Sequence, residues 1–235
     1  MTWNETMKYP LQRAGLIAAV LFAGSVQALS LDAMSGKDAA GGLKEALTQG
    51  AGKAVTQLGR NDGFLGNPQV KIPLPAGLQK AEGMLRGLGM GKQADELVTT
   101  MNRAAEAAVP EAKALLVNSI QQMTVQDAKA VLSGGDDAAT QYFRRTTAAP
   151  LAVKFKPIVV KAMARVKLAQ KYDDFAGKAA KLGLLKEDDA HLDNYVTQKT
   201  LDGLYLMIAE EEKSIRKDPL AAAGNLAKKA FGALK

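Results

Sequence analysis

The residues that could hold a metal ion or act as a nucleophile are few in this sequence. Its one histidine, His191, stands beside Asp188, Asp189 and Asp193, a grouping that could bind a divalent metal. The same acids are also typical of a solvated helix N-terminus, because the helix dipole favours negative charge there. The chain has no cysteine, and it lacks the H-E-x-x-H, G-x-S-x-G and C-x-x-C motifs. We therefore predict no metal site, no cofactor and no covalent catalysis.

One carboxylate, that of Glu212, has an unusual position. In the predicted helix over 192–216 it projects into the middle of an apolar stripe. A carboxylate there needs a partner or a shifted pKa. One interpretation is an ion pair with Arg216, one turn further along, or with an arginine from another helix. The other is a general acid that cleaves envelope glycans together with a second carboxylate. Three residues match that second role by type only: Asp127, Asp137 and Glu106.

Positive charge is concentrated in one segment, which we call the basic segment and which extends from Arg144 to Lys171. It contains no acid. Lys154, Lys161 and Arg165 share one face of a predicted helix, and we take them as candidate anion-binding residues. The acids at 210–212 or at 187–189 could neutralise the segment. Otherwise it would face an anionic partner, lipid or cell-wall polymer rather than nucleic acid. The bases of the segment are Arg144, Arg145, Lys154, Lys156, Lys161, Arg165, Lys167 and Lys171.

The stretch GGDDAATQYFRR, from 134 to 145, has the features of a helix start. Gly134 is expected to take the left-handed conformation that closes the preceding helix, and Asp136 is expected to cap the new one. On a helical wheel, one half of this helix is charged and carries Asp136, Asp137, Arg144 and Arg145. These four residues remain candidate functional residues beside Glu212 and Arg216.

The elements that must position these residues are helices. Apolar residues recur at three- and four-residue steps, and hardly any alternating strand pattern is present, so we predict an all-α, single-domain multi-helix bundle. Prolines and glycines exclude a helix over about 61–75 and predict one long ordered loop, which is either functional or packed across the bundle. Thr124 and Asp127 resemble a capping box. Pro157 predicts that 151–168 forms two pieces.

The first 28 residues have the features of an export signal. Lys8 and Arg13 precede an apolar core from 14 to 26, and Ala28 provides a small residue at the cleavage position. The core is too short to span a bilayer comfortably, and no later segment approaches that length. We therefore expect a cleaved signal peptide over 1–28, a periplasmic mature chain that begins at Leu29, no transmembrane span after cleavage, and one helical domain over 29–235.

Several long motifs resemble the bacterial domain-of-unknown-function family 4197. They are GLKEAL (42–47), DGFLGNPQVKIPLP (62–75), ADELVTTMNRAAEAAVPEAK (94–113), GGDDAATQYFRRTT (134–147), FKPIV (155–159) and YVTQKTLDGLYLMIAEEEKSIRKDP (195–219). The resemblance covers about 35–235. It implies an exported, all-helical bacterial protein and brings no catalytic residues to this chain.

Three functional hypotheses follow from the sequence. The first is a non-catalytic, exported binding or envelope-associated protein whose basic segment faces an anion. The second is a carboxylate-dependent hydrolase of envelope glycans with Glu212 as the acid, and the third is a structural oligomeric partner. A cleft that holds Glu212 and another carboxylate would favour the hydrolase. A Glu212 sealed in an arginine pair would favour the binding protein.

Overall fold

The computed structural model describes residues 36–89, 91–173 and 191–218. The predicted export signal and the acids at 187–189 lie outside these ranges. A 3-10 turn, Val109–Glu111, joins the third helix to the fourth, and residues 167–173 are also helical. No strand is present in the described ranges, so the predicted all-α fold is confirmed. The helices are α1 (Gly36–Gly59), α2 (Ala76–Gly87), α3 (Gly91–Ala108), α4 (Ala112–Gln122), α5 (Val125–Ser133), α6 (Ala138–Met163) and α7 (Leu192–Lys217).

The two longest helices, α6 and α7, pack along each other at the centre of the bundle. Helix α3 packs on α6, while α1 packs on α7 and contacts α4 and α5. Leu151, Phe155 and Val159 recur every four residues along α6 and are fully buried, as expected for one face of a helix. None of the helices within the described residues has the length and apolar character needed to cross a membrane.

Helix α6 contradicts the prediction that Pro157 divides the chain. It runs unbroken through Pro150 and Pro157 to Met163, and the interruption falls at residues 164–166 instead. Both prolines lie on the exposed side of the helix, where water can bind the carbonyl that each proline leaves unpaired. The opposite side is held in the core, so packing outweighs the lost hydrogen bonds.

The predicted loop between α1 and α2 is present, and α3 binds its backbone. The side-chain amide of Asn102 accepts from the N–H of Ile72 at 2.8 Å and donates to its carbonyl at 2.9 Å. Glu106 accepts from the N–H groups of Phe64 and Leu65 at 3.0 and 3.1 Å. Asn102 and Glu106 are both buried, because the loop covers the polar side of α3. These bonds explain how so long a loop is ordered.

The loop also reaches α7. The ring of Phe64 is fully buried against Gly203, where a Cβ atom would lie 2.7 Å from Cε1 of the ring. A glycine is therefore needed at this position of α7. The hydroxyl of Tyr195 donates to the carbonyl of Pro73 at 3.1 Å. The loop thus packs across the bundle, which was one of the two roles predicted for it.

Candidate functional site

Glu212 lies in the interior of the bundle, with only 2% of its surface exposed. Its carboxylate accepts from two backbone N–H groups in the first turn of α6, those of Ala139 at 2.9 Å and Thr140 at 2.8 Å. The hydroxyl of Thr140 donates to it at 2.9 Å. Arg216 donates through Nε and Nη2 at 3.1 and 2.9 Å. The predicted ion pair with Arg216 is therefore present, with Glu212 buried and Arg216 half-buried.

Arg216 connects this ion pair to a third helix. Its Nη2 atom also donates to the carbonyl of Val131, in the last turn of α5, at 2.8 Å. Helix ends leave N–H and C=O groups without partners inside the helix, and the pair supplies partners at the end of α5 and the start of α6. The charges of the two side chains also suit the helix dipoles, because the carboxylate lies at the N-terminus of α6 and the guanidinium at the C-terminus of α5. We call this site the α5–α6 junction.

The turn before α6 differs from the prediction in two ways. The N-cap residue is Asp137, which makes no side-chain cap bond, and Asp136 is exposed. Glu212 supplies the cap instead. Gly134 is extended rather than left-handed, with φ −81° and ψ 178°. Glycine is needed there for space, since a Cβ atom would lie 2.6 Å from Cβ of Ala138.

The surroundings of Glu212 do not favour acid catalysis. Its two oxygens accept five hydrogen bonds, whereas a general acid must present a proton to a substrate. Of the carboxylates that matched by type, Asp127 belongs to the capping box of α5, which is present as predicted, and Glu106 binds the loop. Within the described part of the chain, no group of three or more His, Cys, Asp or Glu side chains is placed to hold a metal ion.

The two arginines at the start of the basic segment are held against neighbouring side chains. The guanidinium of Arg144 lies 4.7 Å from the ring centroid of Tyr205 and 4.0 Å from Asp202. That of Arg145 lies 5.4 Å from the ring centroid of Tyr142 and 3.8 Å from an acid of α5. Each makes a cation–π contact and a long ion pair, while 42% of the Arg144 side chain and 66% of the Arg145 side chain stay exposed.

The three bases taken from the sequence as candidate anion-binding residues face solvent, and we call them the basic face. Lys154 and Lys161 on α6, and Arg165 in the turn that follows it, are exposed. None of them forms an ion pair with an acid of the described ranges.

The acids at 210–212 do not neutralise the basic face. Glu212 is bound in the α5–α6 junction, and Glu211 pairs with Lys53 of α1 at 2.8 Å. Glu210 is exposed and forms no ion pair within the described residues. Within the described residues, none of these three acids pairs with the basic face, and the alternative acids at 187–189 lie outside those residues.

The exposed side of α6 also carries an apolar strip beside the basic face. Val153 is 74% exposed and Val160 is 44% exposed, although both are large apolar residues. Because α6 is apolar on this side and on its core side, periodicity in the sequence does not distinguish the two sides. The strip consists of Ala149, Pro150, Val153, Pro157, Val160 and Ala164.

A groove of about 590 Å³, which no sequence pattern indicates, runs between α6 and α7. Lys156 borders it and donates to Oδ1 of Asn194 at 2.8 Å. On the α7 side, the ammonium of Lys199 lies 5.8 Å from the ring centroid of Tyr195. Burial, with a smaller contribution from Tyr172, raises the pKa of the Tyr195 hydroxyl to about 12, so this group stays neutral. We call this feature the α6–α7 groove.

The fold and these sites define an all-helical protein with a sealed ion pair inside and a basic face outside. The chain belongs to the family of proteins of unknown function DUF4197, whose model matches residues 33–232. The resemblance noted in the sequence is thereby confirmed. Searches of curated proteins and of solved structures each gave no match.

Proposed function

We propose that this protein is an exported, non-catalytic binding protein that attaches to an anionic surface through its basic face. The observation that carries the proposal is the exposure of Lys154, Lys161 and Arg165 without an acidic partner in the described ranges. Three exposed cations on α6 and the turn that follows it add their potentials, and no acid of the described ranges pairs with them. Such a face attracts phosphate or carboxylate groups at a range set by the ionic strength.

A lipid membrane fits this face better than a cell-wall polymer. The apolar strip lies beside the basic face, and Val153 and Val160 give it exposed branched side chains. Helices that lie on membranes combine apolar residues with flanking lysines in this way, because the apolar side chains enter the acyl boundary while the cations contact headgroups. A polyanionic polymer would use the cations and leave the valines in water.

Vesicle sedimentation tests this proposal. We expect the purified protein to bind vesicles that contain phosphatidylglycerol, to bind neutral vesicles much less, and to lose binding as salt is raised. Changing Lys154, Lys161 and Arg165 together to glutamine should remove most of the binding. The matched control changes Lys113, Lys129 and Lys213 to glutamine, three exposed bases outside the basic segment.

Two results would overturn the proposal. One is equal binding to anionic and neutral vesicles. The other is an equal loss of binding in the two triple variants, which would show that binding depends on the net charge of the protein and not on the basic face. Light scattering of the free protein addresses the alternative of a structural oligomer, because a second copy of the chain would cover the same apolar strip.

We further propose that the protein acts in the periplasm, on the strength of the apolar core over 14–26 and the small residue Ala28. The N-terminal sequence of the protein isolated from its native envelope should begin at Leu29. Retention of Met1 would contradict both the cleavage and the location.

A further inference from the structure

Helix α6 carries two prolines in its interior, Pro150 and Pro157, and both are exposed. Proline is less favourable in a helix interior than any other residue, because it has no N–H and its ring crowds the carbonyl four residues back. An exposed proline also gains little from packing. Two of them on the solvent side of one helix therefore lower the stability of α6, and a role outside the folding of the bundle would explain them.

Each proline leaves one backbone carbonyl without its helical donor. The carbonyl of Thr146 points along the helix toward Pro150, and that of Val153 points toward Pro157, where an N–H would otherwise bind it. Thr146 and Val153 are exposed, as are both prolines. The two carbonyls are therefore hydrogen-bond acceptors on the outer surface of α6, about 10 Å apart along the helix axis.

The same line of the helix carries two cations of the basic face. Lys154 lies four residues after Pro150 and three before Pro157, and Lys161 lies four residues after Pro157. Positions three and four apart are neighbours on the surface of a helix. Both lysines are exposed, and neither forms an ion pair with an acid of the described ranges. The freed acceptors and the ammonium groups therefore belong to one surface, and we call these four residues the proline–lysine line.

A partner that matches this surface must offer negative charge and hydrogen-bond donors together. Lysines bind phosphate through charge-assisted hydrogen bonds, whereas carbonyls accept from hydroxyl or N–H groups. Acyl chains offer no donor, and burying an unpaired carbonyl among them costs free energy. The two prolines are therefore expected to lie at the level of lipid headgroups, while Val153 and Val160 extend toward the acyl boundary.

We propose that the proline–lysine line recognises anionic lipids whose headgroup carries hydroxyl groups beyond the phosphate, as that of phosphatidylglycerol does. The lysines bind the phosphate, and the carbonyls of Thr146 and Val153 accept from the hydroxyls. The inference rests on the proposed attachment to an anionic membrane, and it names the headgroup chemistry that this surface selects. A phosphate that carries no donor would satisfy the cations and leave both carbonyls to water.

Vesicles that contain phosphatidylglycerol or phosphatidylmethanol test the proposal, because the two lipids carry the same charge but the methyl ester has no donor. With the same acyl chains, we expect the purified protein to bind phosphatidylglycerol about tenfold more strongly, as two neutral hydrogen bonds would produce. Equal binding to the two anionic lipids would overturn this inference and leave the proposed membrane attachment intact. Equal binding to anionic and neutral vesicles would overturn the attachment and this inference with it.

The double variant Pro150→Ala with Pro157→Ala isolates the two carbonyls. Each alanine supplies the N–H that the helix lacks, so both carbonyls become bonded within α6 and the melting temperature should rise. Binding to phosphatidylglycerol should fall about tenfold, to the level of phosphatidylmethanol. Binding to phosphatidylmethanol should stay the same, because the lysines are unchanged. A gain in stability together with a loss of binding distinguishes headgroup recognition from a structural role.

Pro68→Ala is the matched control, because Pro68 is an exposed proline in the loop between α1 and α2 and frees no helical carbonyl. This variant should keep the preference for phosphatidylglycerol. A preference that persists in the double variant, or an equal loss of it in Pro68→Ala, would contradict the proposal. So would an equal fall on both anionic lipids in the double variant, since the prolines would then act through the shape of α6 and not through the freed carbonyls.

Discussion

Glu212 and Arg216 lie one turn apart on α7, and each binds the end of a different helix. Glu212 accepts the N–H groups that begin α6, and Arg216 donates to the carbonyl of Val131 near the end of α5. The ion pair between them, at 2.9 Å, therefore does more than compensate the buried charge of Glu212. It fixes the position at which the chain leaves one helix and enters the next.

Removing the carboxylate at this site should destabilise the protein. Glu212→Ala leaves the first N–H groups of α6 and the hydroxyl of Thr140 without their acceptor and removes the carboxylate that Arg216 binds, so we expect a loss of about 3 kcal/mol in the free energy of unfolding. Urea denaturation measures it. Glu210→Ala, an exposed change on the same helix, should cost less than about 0.5 kcal/mol. Equal losses in the two variants would contradict the structural role of Glu212.

A second prediction follows from the contact between Phe64 and Gly203. Gly203→Ala should destabilise the protein by about 1–3 kcal/mol, because the new methyl group would lie 2.7 Å from a fully buried ring, which would have to shift. Gly52→Ala, in the interior of α1 where a Cβ atom meets nothing within 4 Å, should instead stabilise it by about 0.5–1 kcal/mol. Thermal unfolding of both variants should show shifts of opposite sign.

The capping box of α5 predicts a dependence on pH. Hydrogen bonds from the Thr124 side chain and backbone lower the pKa of Asp127 in the folded protein. A lowered folded-state pKa contributes stability above the unfolded pKa, about 3.9, and this contribution is lost as the pH falls through the folded value. Asp127→Asn should therefore be less stable than the unchanged protein at about pH 6, and the difference should narrow at about pH 2.5. A difference that is the same at both pH values would contradict this assignment.

The loop gives a prediction about local opening. Asn102→Ala removes both partners of the Ile72 backbone groups, which are buried, so we expect a loss of about 2–3 kcal/mol. Amide exchange should accelerate over 62–75 more than in α6, because the loop loses a contact that holds it to α3. Uniform acceleration over the whole protein would show that the loop does not open separately.

The sequence predicted the helical fold, the loop and the pairing of Glu212 with Arg216 correctly, because each depends on local order. Helical periodicity spans a few turns, and Glu212 and Arg216 are four residues apart on one helix. The caps that Glu212 provides at Ala139 and Thr140 could not be predicted, since they join positions more than seventy residues apart. Asp136, the local candidate for that cap, remains exposed.

The burial of a polar residue can be predicted only when the element that covers it is known. Asn102 and Glu106 belong to the polar side of α3, and nothing in their spacing indicates that a loop binds them. The exposed bases of α6 were the feature of the candidate site that spacing alone identified.

The α5–α6 junction also determines when this chain can complete its fold during synthesis. Helix α6 is made before α7, yet the groups that bind the start of α6 come from Glu212, far along α7. The core contact of α1 with α7 likewise joins early and late parts of the chain. Contacts of such long sequence separation form late and slow the folding of a domain. We therefore expect the emerging chain to remain incompletely folded until α7 has been synthesised.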